Sequence, residues 1–276
     1  TVQNVTVYGD PNPGIGQIHN AIELFNSLTV SILNVKVYWI TGTGLYTRTT
    51  GGNQVTGRVQ TLEITSGSSV NFLMYFTGNI VAFNVNGLQL QGGARQWDID
   101  TTGGAFTESN ISDVVFDGCF GTSVFNLHGS GNVFKVTMTN IVLGGSGTTG
   151  TKIGMVLDGS VAGIFTNILL SNITGGVDSN TSAGTGLYIL GGNNILLTNS
   201  QIQGAGGAVG DRAVHIVGTT QNVQIANCIL GYAYDGTKTG PGKAYTGLFV
   251  GGTTHTNMRV SGTSMFGVGS GISLTG

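Results

Sequence analysis

Charge is scarce in this chain. Of 276 residues, 10 are Lys or Arg and 12 are Asp or Glu, a formal net charge of −2. Charged residues make up 8% of the sequence, about a third of the usual share. Ten basic side chains cannot supply the phosphate-neutralising surface that nucleic-acid binders need, so no nucleic-acid partner is expected. Proline is nearly missing, at 3 residues, and the 49 glycines follow no three-residue period, which excludes a collagen-like chain. No run reaches about 18 consecutive apolar residues, so no membrane insertion is expected. No basic stretch precedes an apolar run, as a secretory leader would require, and the chain starts at Thr1 as a processed or excised piece would. The two cysteines, Cys119 and Cys228, each follow a strand-like apolar run and are expected as separate buried thiols, which leaves the redox compartment open. The histidines His19, His128, His215 and His255 have no zinc-site spacing, and no glycine-rich phosphate motif opens a helix, so neither metal nor cofactor is implied.

What is present is repetition. Short apolar strings recur, each tailed by Asn or Asp and then a small residue: Val81 to Gly87, Asp113 to Gly118, Lys135 to Ile141, Thr166 to Ile173, Asn194 to Ser200, Asn222 to Cys228 and Asn257 to Gly262. Aligned on the tail, they place Asn86, Asp117, Asn140, Asn172, Asn199, Asn227 and Gly262 in one column. A second string alternates with the first: Val124 to Gly129, Gly154 to Gly159, Leu187 to Gly192, Val214 to Gly218, Leu248 to Gly252 and Gly271 to Leu274. Each repeat therefore holds at least two short strands joined by Gly-, Thr- and Ser-rich corners. Helical spacing occurs at Gln17 to Leu28, where Ile18, Ala21, Ile22, Phe25 and Leu28 predict a short helix or a loop packed over the end of the stack.

Such a repeat buries its apolar face only against its neighbours, so the expected architecture is a coil of parallel strands stacked about 4.8 Å apart. An Asn at each corner tolerates a left-handed bend, and its amide can donate to one neighbour and accept from the next. A column of such amides would satisfy polar groups otherwise buried and unpaired. An antiparallel sandwich is the rival, but it predicts hairpins and no register of corner Asn. This organisation resembles the right-handed, single-stranded parallel β-helix (solenoid) of the pectate-lyase-like superfamily, with its internal asparagine ladders, and among its members bacteriophage tailspike proteins. The resemblance runs from about Val59 to Leu274, with Val2 as its outer limit. It implies an all-β fold, and the handedness comes from it and from the general preference of parallel crossovers.

The expected division is an irregular segment 1–50, capping or leading into the coil, and one continuous β-helix over 51–276. Asp10 to Gly14 is a turn cluster, and Val30 to Trp39 reads as a strand. Ser273 to Gly276 stops in mid-pattern without a polar cap. That implies truncation, a further domain, or an end covered by a partner, as in a homotrimer of side-by-side coils.

Acidic residues carry the chemistry. Asp98 and Asp100, with Arg95 before and Glu108 after, lie between Leu90 and Ile111 in what reads as the longest insertion of the middle turns. In an extended segment Asp98 and Asp100 share one face, as a carboxylate pair acting on a glycosidic bond requires, so Asp98, Asp100 and Glu108 are the catalytic candidates. Trp97 would stack on a sugar and Arg95 would meet an acidic one; the competing account is an ordinary surface loop with one buried Trp. His128 and Asp158 occupy the same place in consecutive strings, about 5 Å apart, and with Asp178 and Asp211 would line a groove or form a plain surface pair. Tyr234 and Asp235 stand in an aromatic and charged loop, Tyr232 to Tyr245, suited to a glycan or to a neighbouring subunit.

The superfamily's lyases pair acidic Ca²⁺ ligands with a basic proton acceptor, and its hydrolases cluster aspartates. Neither pattern stands here at adjacent strand positions. The resemblance and the charge-poor, Thr/Asn/Gly-rich composition imply, first, a bacteriophage tailspike or tail-fibre segment that recognises a bacterial surface polysaccharide and can hydrolyse it, on a virion tail or extracellular surface. The alternatives are a non-catalytic structural or adhesive fibre and a secreted polysaccharide lyase or hydrolase. Fold alone does not choose between them.

Overall fold

The structure is a computed structural model that describes residues 1–9, 18–67, 70–144, 153–159, 165–176, 184–204, 210–231, 246–252 and 254–275. Every regular element among the described residues is a β-strand, and the strands form a right-handed parallel solenoid. Equivalent residues recur after 23 to 35 positions, as in Met74 to Trp97 and Asn222 to Asn257. Strands Val2–Tyr8 and Thr29–Tyr38 pair in parallel with each other and onward with Val55–Thr65. Strand Ile22–Phe25 pairs with Leu45–Arg48, which pairs with Phe72–Gln91. The segment Gln17 to Leu28 is no helix where it is described: Ile22 and Leu24 are buried while Glu23 and Phe25 are exposed, the period-two pattern of a strand.

Two faces of the coil concern function. The inward row of the first face stacks Ile32, Val59, Val85, Ile111, Met138, Leu170, Leu197 and Ile225. The inward row of the second face stacks Leu45, Met74, Trp97, Phe125, Met155, Leu187, Val214 and Leu248. All of these side chains are buried. Each contributes roughly 1.5–3 kcal/mol by leaving water, so stacking neighbours carries the fold. The second face is built from the second set of strings. Cys119 and Cys228 are both buried and stand as two separate thiols.

The corner column is real, with two corrections of register. Leu88 pairs with Val114, so Gly87 and Asp113 hold the bend, not Asn86 and Asp117. The column runs Asn4, Asn34, Thr61, Gly87, Asp113, Asn140, Asn172, Asn199, Asn227 and Gly262, all with φ between 50° and 72°. That is the left-handed region, which Asn, Asp and Gly enter at least cost. The ladder also faces solvent rather than the interior. Asn172 Nδ2 donates to Asn140 Oδ1 at 2.7 Å, and Asn140 Nδ2 to Asp113 Oδ1 at 2.9 Å, all on exposed side chains. A second exposed ladder joins Asn257, Asn222, Asn194 and Asn167 by bonds of 2.9–3.0 Å.

Candidate functional site

The outward side of the second face carries the polar chemistry. Strand Arg95–Thr107 is a full rung of the coil there, not an insertion, and it lies between Phe72–Gln91 and Ser123–His128. Alternation along it turns Trp97 and Ile99 inward and Asp98 and Asp100 outward. Register then aligns Tyr46, Tyr75, Asp98, Asn126, Val156, Tyr188, His215 and Phe249 in one outward row. A second row beside it aligns Arg48, Thr77, Asp100, His128, Asp158 and Leu190.

Asp98 is the centre of a cluster. It is 2% exposed and is met by donors on both carboxylate oxygens. Asn126 Nδ2 donates to Oδ1 at 2.7 Å, Arg95 Nη1 to the same oxygen at 3.4 Å, and His128 Nε2 lies 3.3 Å from Oδ2. His128 is raised above the ordinary imidazole value because Asp98 bonds its ring, which outweighs the opposing effect of burial. Its side chain is 29% exposed, so it faces solvent on one side and Asp98 on the other.

Asp100 stands next to this pair. Burial pushes its carboxyl up, but the Thr102 side chain, the Thr102 backbone and the nearby His128 outweigh it and hold it below the usual carboxylate value. Thr102 N donates to Oδ1 at 2.8 Å, and the Tyr75 hydroxyl donates to Oδ2 at 3.4 Å. Burial first, then the Asp100 and Asp98 charges, push Tyr75 up to about 12, so it keeps its proton across the physiological range. The Tyr75 ring stacks on Phe72 and Tyr46, with centroids 4.9 and 5.5 Å away, and the Arg95 guanidinium lies over Phe72 at 5.8 Å.

Asp98, Asp100, Arg95 and His128 are thus brought together. Asp158 is the strand partner of His128, the register the strings predict, and its charge helps raise Tyr188 after the larger effect of burial. Trp97 and Glu108 are not part of the cluster. Trp97 is fully buried, edge-on to Phe76 and Phe125 at 5.3 and 5.5 Å, so its ring offers no face to a sugar. Glu108 sits at an exposed left-handed corner after Thr107 and pairs with Lys135 at 3.4 Å. Tyr234, Asp235 and Asp178 lie outside the described residues. Asp211 is buried and accepts from Gly184 N at 2.6 Å, a structural bond at the foot of a strand. Among the described residues, no group of three His, Cys, Asp or Glu is placed to hold a metal ion, and no helix is long and apolar enough to cross a membrane.

Sequence reasoning missed Tyr75, Tyr46 and Asn126. The first two occupy the place in Met74-Tyr75-Phe76 and Leu45-Tyr46-Thr47 that Asn126 occupies in Phe125-Asn126-Leu127. Extending the second string upstream would have found them.

No known protein family and no curated protein matches this chain. Several solved structures overlap it. One is Geobacillus virus E2 ORF18, at 8% identity and a TM-score of 0.43, over 96% of this chain and 56% of that one. The chain thus spans little more than half of that protein's length. The periplasmic alginate epimerase AlgG matches at 12% identity and a TM-score of 0.46, over 94% of this chain and 73% of that one. The A-module of the Azotobacter vinelandii mannuronan C-5 epimerase AlgE6 matches at 15% identity and a TM-score of 0.42, over 99% and 85%. None of them transfers a residue role to this chain.

Proposed function

We propose that this chain is an acid–base catalyst acting on an acidic polysaccharide laid along the outward rows of the second face, and that it removes the proton on the carbon next to a sugar carboxylate. The carrying observation is the division of labour around Asp98. Glycoside hydrolysis needs one carboxyl kept protonated to meet the glycosidic oxygen. Asp100 is held below its ordinary value and Asp98 accepts hydrogen bonds on both oxygens, so neither suits that task. The groups suited to exchange a proton are His128 and Tyr75.

Asp98 engages His128 Nε2, which orients the ring and leaves Nδ1 to take the proton. Arg95, 37% exposed, supplies the positive charge that steadies the sugar carboxylate as electron density moves onto it. In the eliminating outcome the carbon–hydrogen electrons form a carbon–carbon double bond and the bond to the leaving oxygen breaks. That oxygen takes the Tyr75 proton, which solvent then replaces. Tyr46 and Phe72 brace the Tyr75 ring. Incubation with polygalacturonate, polymannuronate and polyguluronate tests this directly. Unsaturated uronate ends are expected from the wild type and not from His128→Gln. New reducing ends without unsaturation mean hydrolysis and overturn the proposal.

A second reading, the bacteriophage tailspike or tail fibre assembled as a homotrimer at a virion tail or extracellular surface, is favoured by the surface around the corner column. Exposed Val115, Val142 and Ile229 follow that column, and Ser112, Thr139, Ser171 and Thr198 precede it, with Asp113 carrying the charge between Ser112 and Val115. Such a surface suits packing against further copies of the coil. Sedimentation equilibrium tests it: a trimer supports it, and a monomer at micromolar concentration opposes it.

A further inference from the structure

We infer that Arg212, His215, Tyr188 and Phe249 form a second binding subsite, one that takes a carboxylate of an acidic polysaccharide four strands along the coil from the Asp98 cluster. The identity of the polymer rests on the function proposed above; the geometry of the subsite does not.

Arg212 repeats the placement of Arg95. Each stands three residues before a member of the same outward row, Arg95 before Asp98 and Arg212 before His215. Strand register links Arg212 to Thr185, Ile153 and Ser123, and Ser123 lies two residues before Phe125 as Arg95 lies two before its partner Trp97. The two arginines thus stand in one file. Four strand spacings separate them, about 19 Å. The residues between them in that file, Ser123, Ile153 and Thr185, carry no charge.

The guanidinium is preorganised. Its centre lies 3.9 Å over the Phe249 ring, and Nη1 lies 2.9 Å from His215 Nδ1 and 3.1 Å from Nε2. Tyr188 and Phe249 flank His215 edge-on, with centroids 4.8 and 5.0 Å away. Burial, and then the Arg212 charge, push His215 down to about 4, so the imidazole is neutral at physiological pH and acts as an acceptor. Among the described residues no carboxylate lies within ion-pair distance of Arg212. Burial disfavours its charge, so an arriving anion compensates a cost already incurred in the free protein. A guanidinium has five donors in a planar fork, a match for a carboxylate. The flanking rings of Tyr188 and Phe249 offer apolar surface to the sugar that carries it.

The test measures binding to immobilised polygalacturonate, polymannuronate and polyguluronate, to their carboxyl-reduced neutral forms, and to dextran sulfate. Wild type, Arg212→Gln and Arg212→Lys are compared, each first shown to melt as the wild type does. The expected result is binding to at least one polyuronate, weakened about tenfold by Arg212→Gln and less by Arg212→Lys, with no such change on the neutral polymers. Equal binding by wild type and Arg212→Gln overturns the inference. So does an equal loss on the neutral polymers, binding confined to dextran sulfate, or no binding of any polyuronate by the wild type. Arg212-dependent binding by a protein that never turns the polymer over upholds the subsite and overturns the catalytic proposal, which keeps the two failures distinct.

Discussion

His128 and Asp98, on adjacent strands of the coil, meet through Nε2 and Oδ2 at 3.3 Å, and this contact raises the proton affinity of the imidazole. The stability it contributes is fully present below the unfolded imidazole value, near 6.5, and is lost as pH rises through the higher folded value. Catalysis needs the neutral ring and so rises over that same folded value. Asp98→Asn removes the two raising effects of Asp98 and leaves burial and Arg95, which lower the ring, against the Asp100 charge, whose raising effect is smaller than that of burial. NMR titration of His128 is therefore expected to shift to lower pH in Asp98→Asn, and an unchanged titration contradicts the pairing.

Asp98 and Glu108 are predicted to behave as opposites. Asp98→Ala leaves Asn126, Arg95 and His128 without their shared acceptor and costs about 1–3 kcal/mol. Glu108→Gln breaks an exposed pair with Lys135 and costs about 1 kcal/mol or less, with turnover unchanged. Urea unfolding and a turnover assay on both variants check this.

Trp97→Ala is predicted to destabilise by about 3–5 kcal/mol, because the indole fills the core between Phe76 and Phe125. Trp97→Phe is predicted to cost less and to leave polysaccharide binding intact. A binding loss in Trp97→Phe without a stability loss contradicts the inward placement.

Thr61 is a β-branched residue at φ 58° in the left-handed corner column, between Asn34 and Gly87. Thr61→Asn is predicted to stabilise by about 1 kcal/mol, relieving the bend and offering an amide to Asn34. The urea midpoint measures it.

The coil was legible because its two sets of strings alternate apolar and polar residues and end in residues that tolerate a left-handed bend. The pairing of His128 with Asp158 followed from aligning those strings. The column was misplaced at Asn86 and Asp117 because Asp113 and Asp117 flank the same apolar block, and composition does not choose between them. Only pairing across strands, Leu88 with Val114, selects Asp113. The shared face of Asp98 and Asp100 followed from their spacing, and the same alternation turns Trp97 inward, so a sugar-stacking Trp97 was inconsistent with the carboxylate pair from the outset. Tyr75 escaped notice because its contact with Asp100 crosses 25 residues of chain.

The most direct measurement is hydrogen exchange at the carbon next to the carboxylate. The protein is incubated with each polyuronate in deuterium oxide and the sugar is followed by NMR, beside His128→Gln. Proton removal by His128 predicts deuterium at that carbon, or loss of the carbon–hydrogen signal by elimination, in the wild type and neither in the variant. Chain cleavage with that hydrogen retained, or equal exchange in His128→Gln, contradicts it.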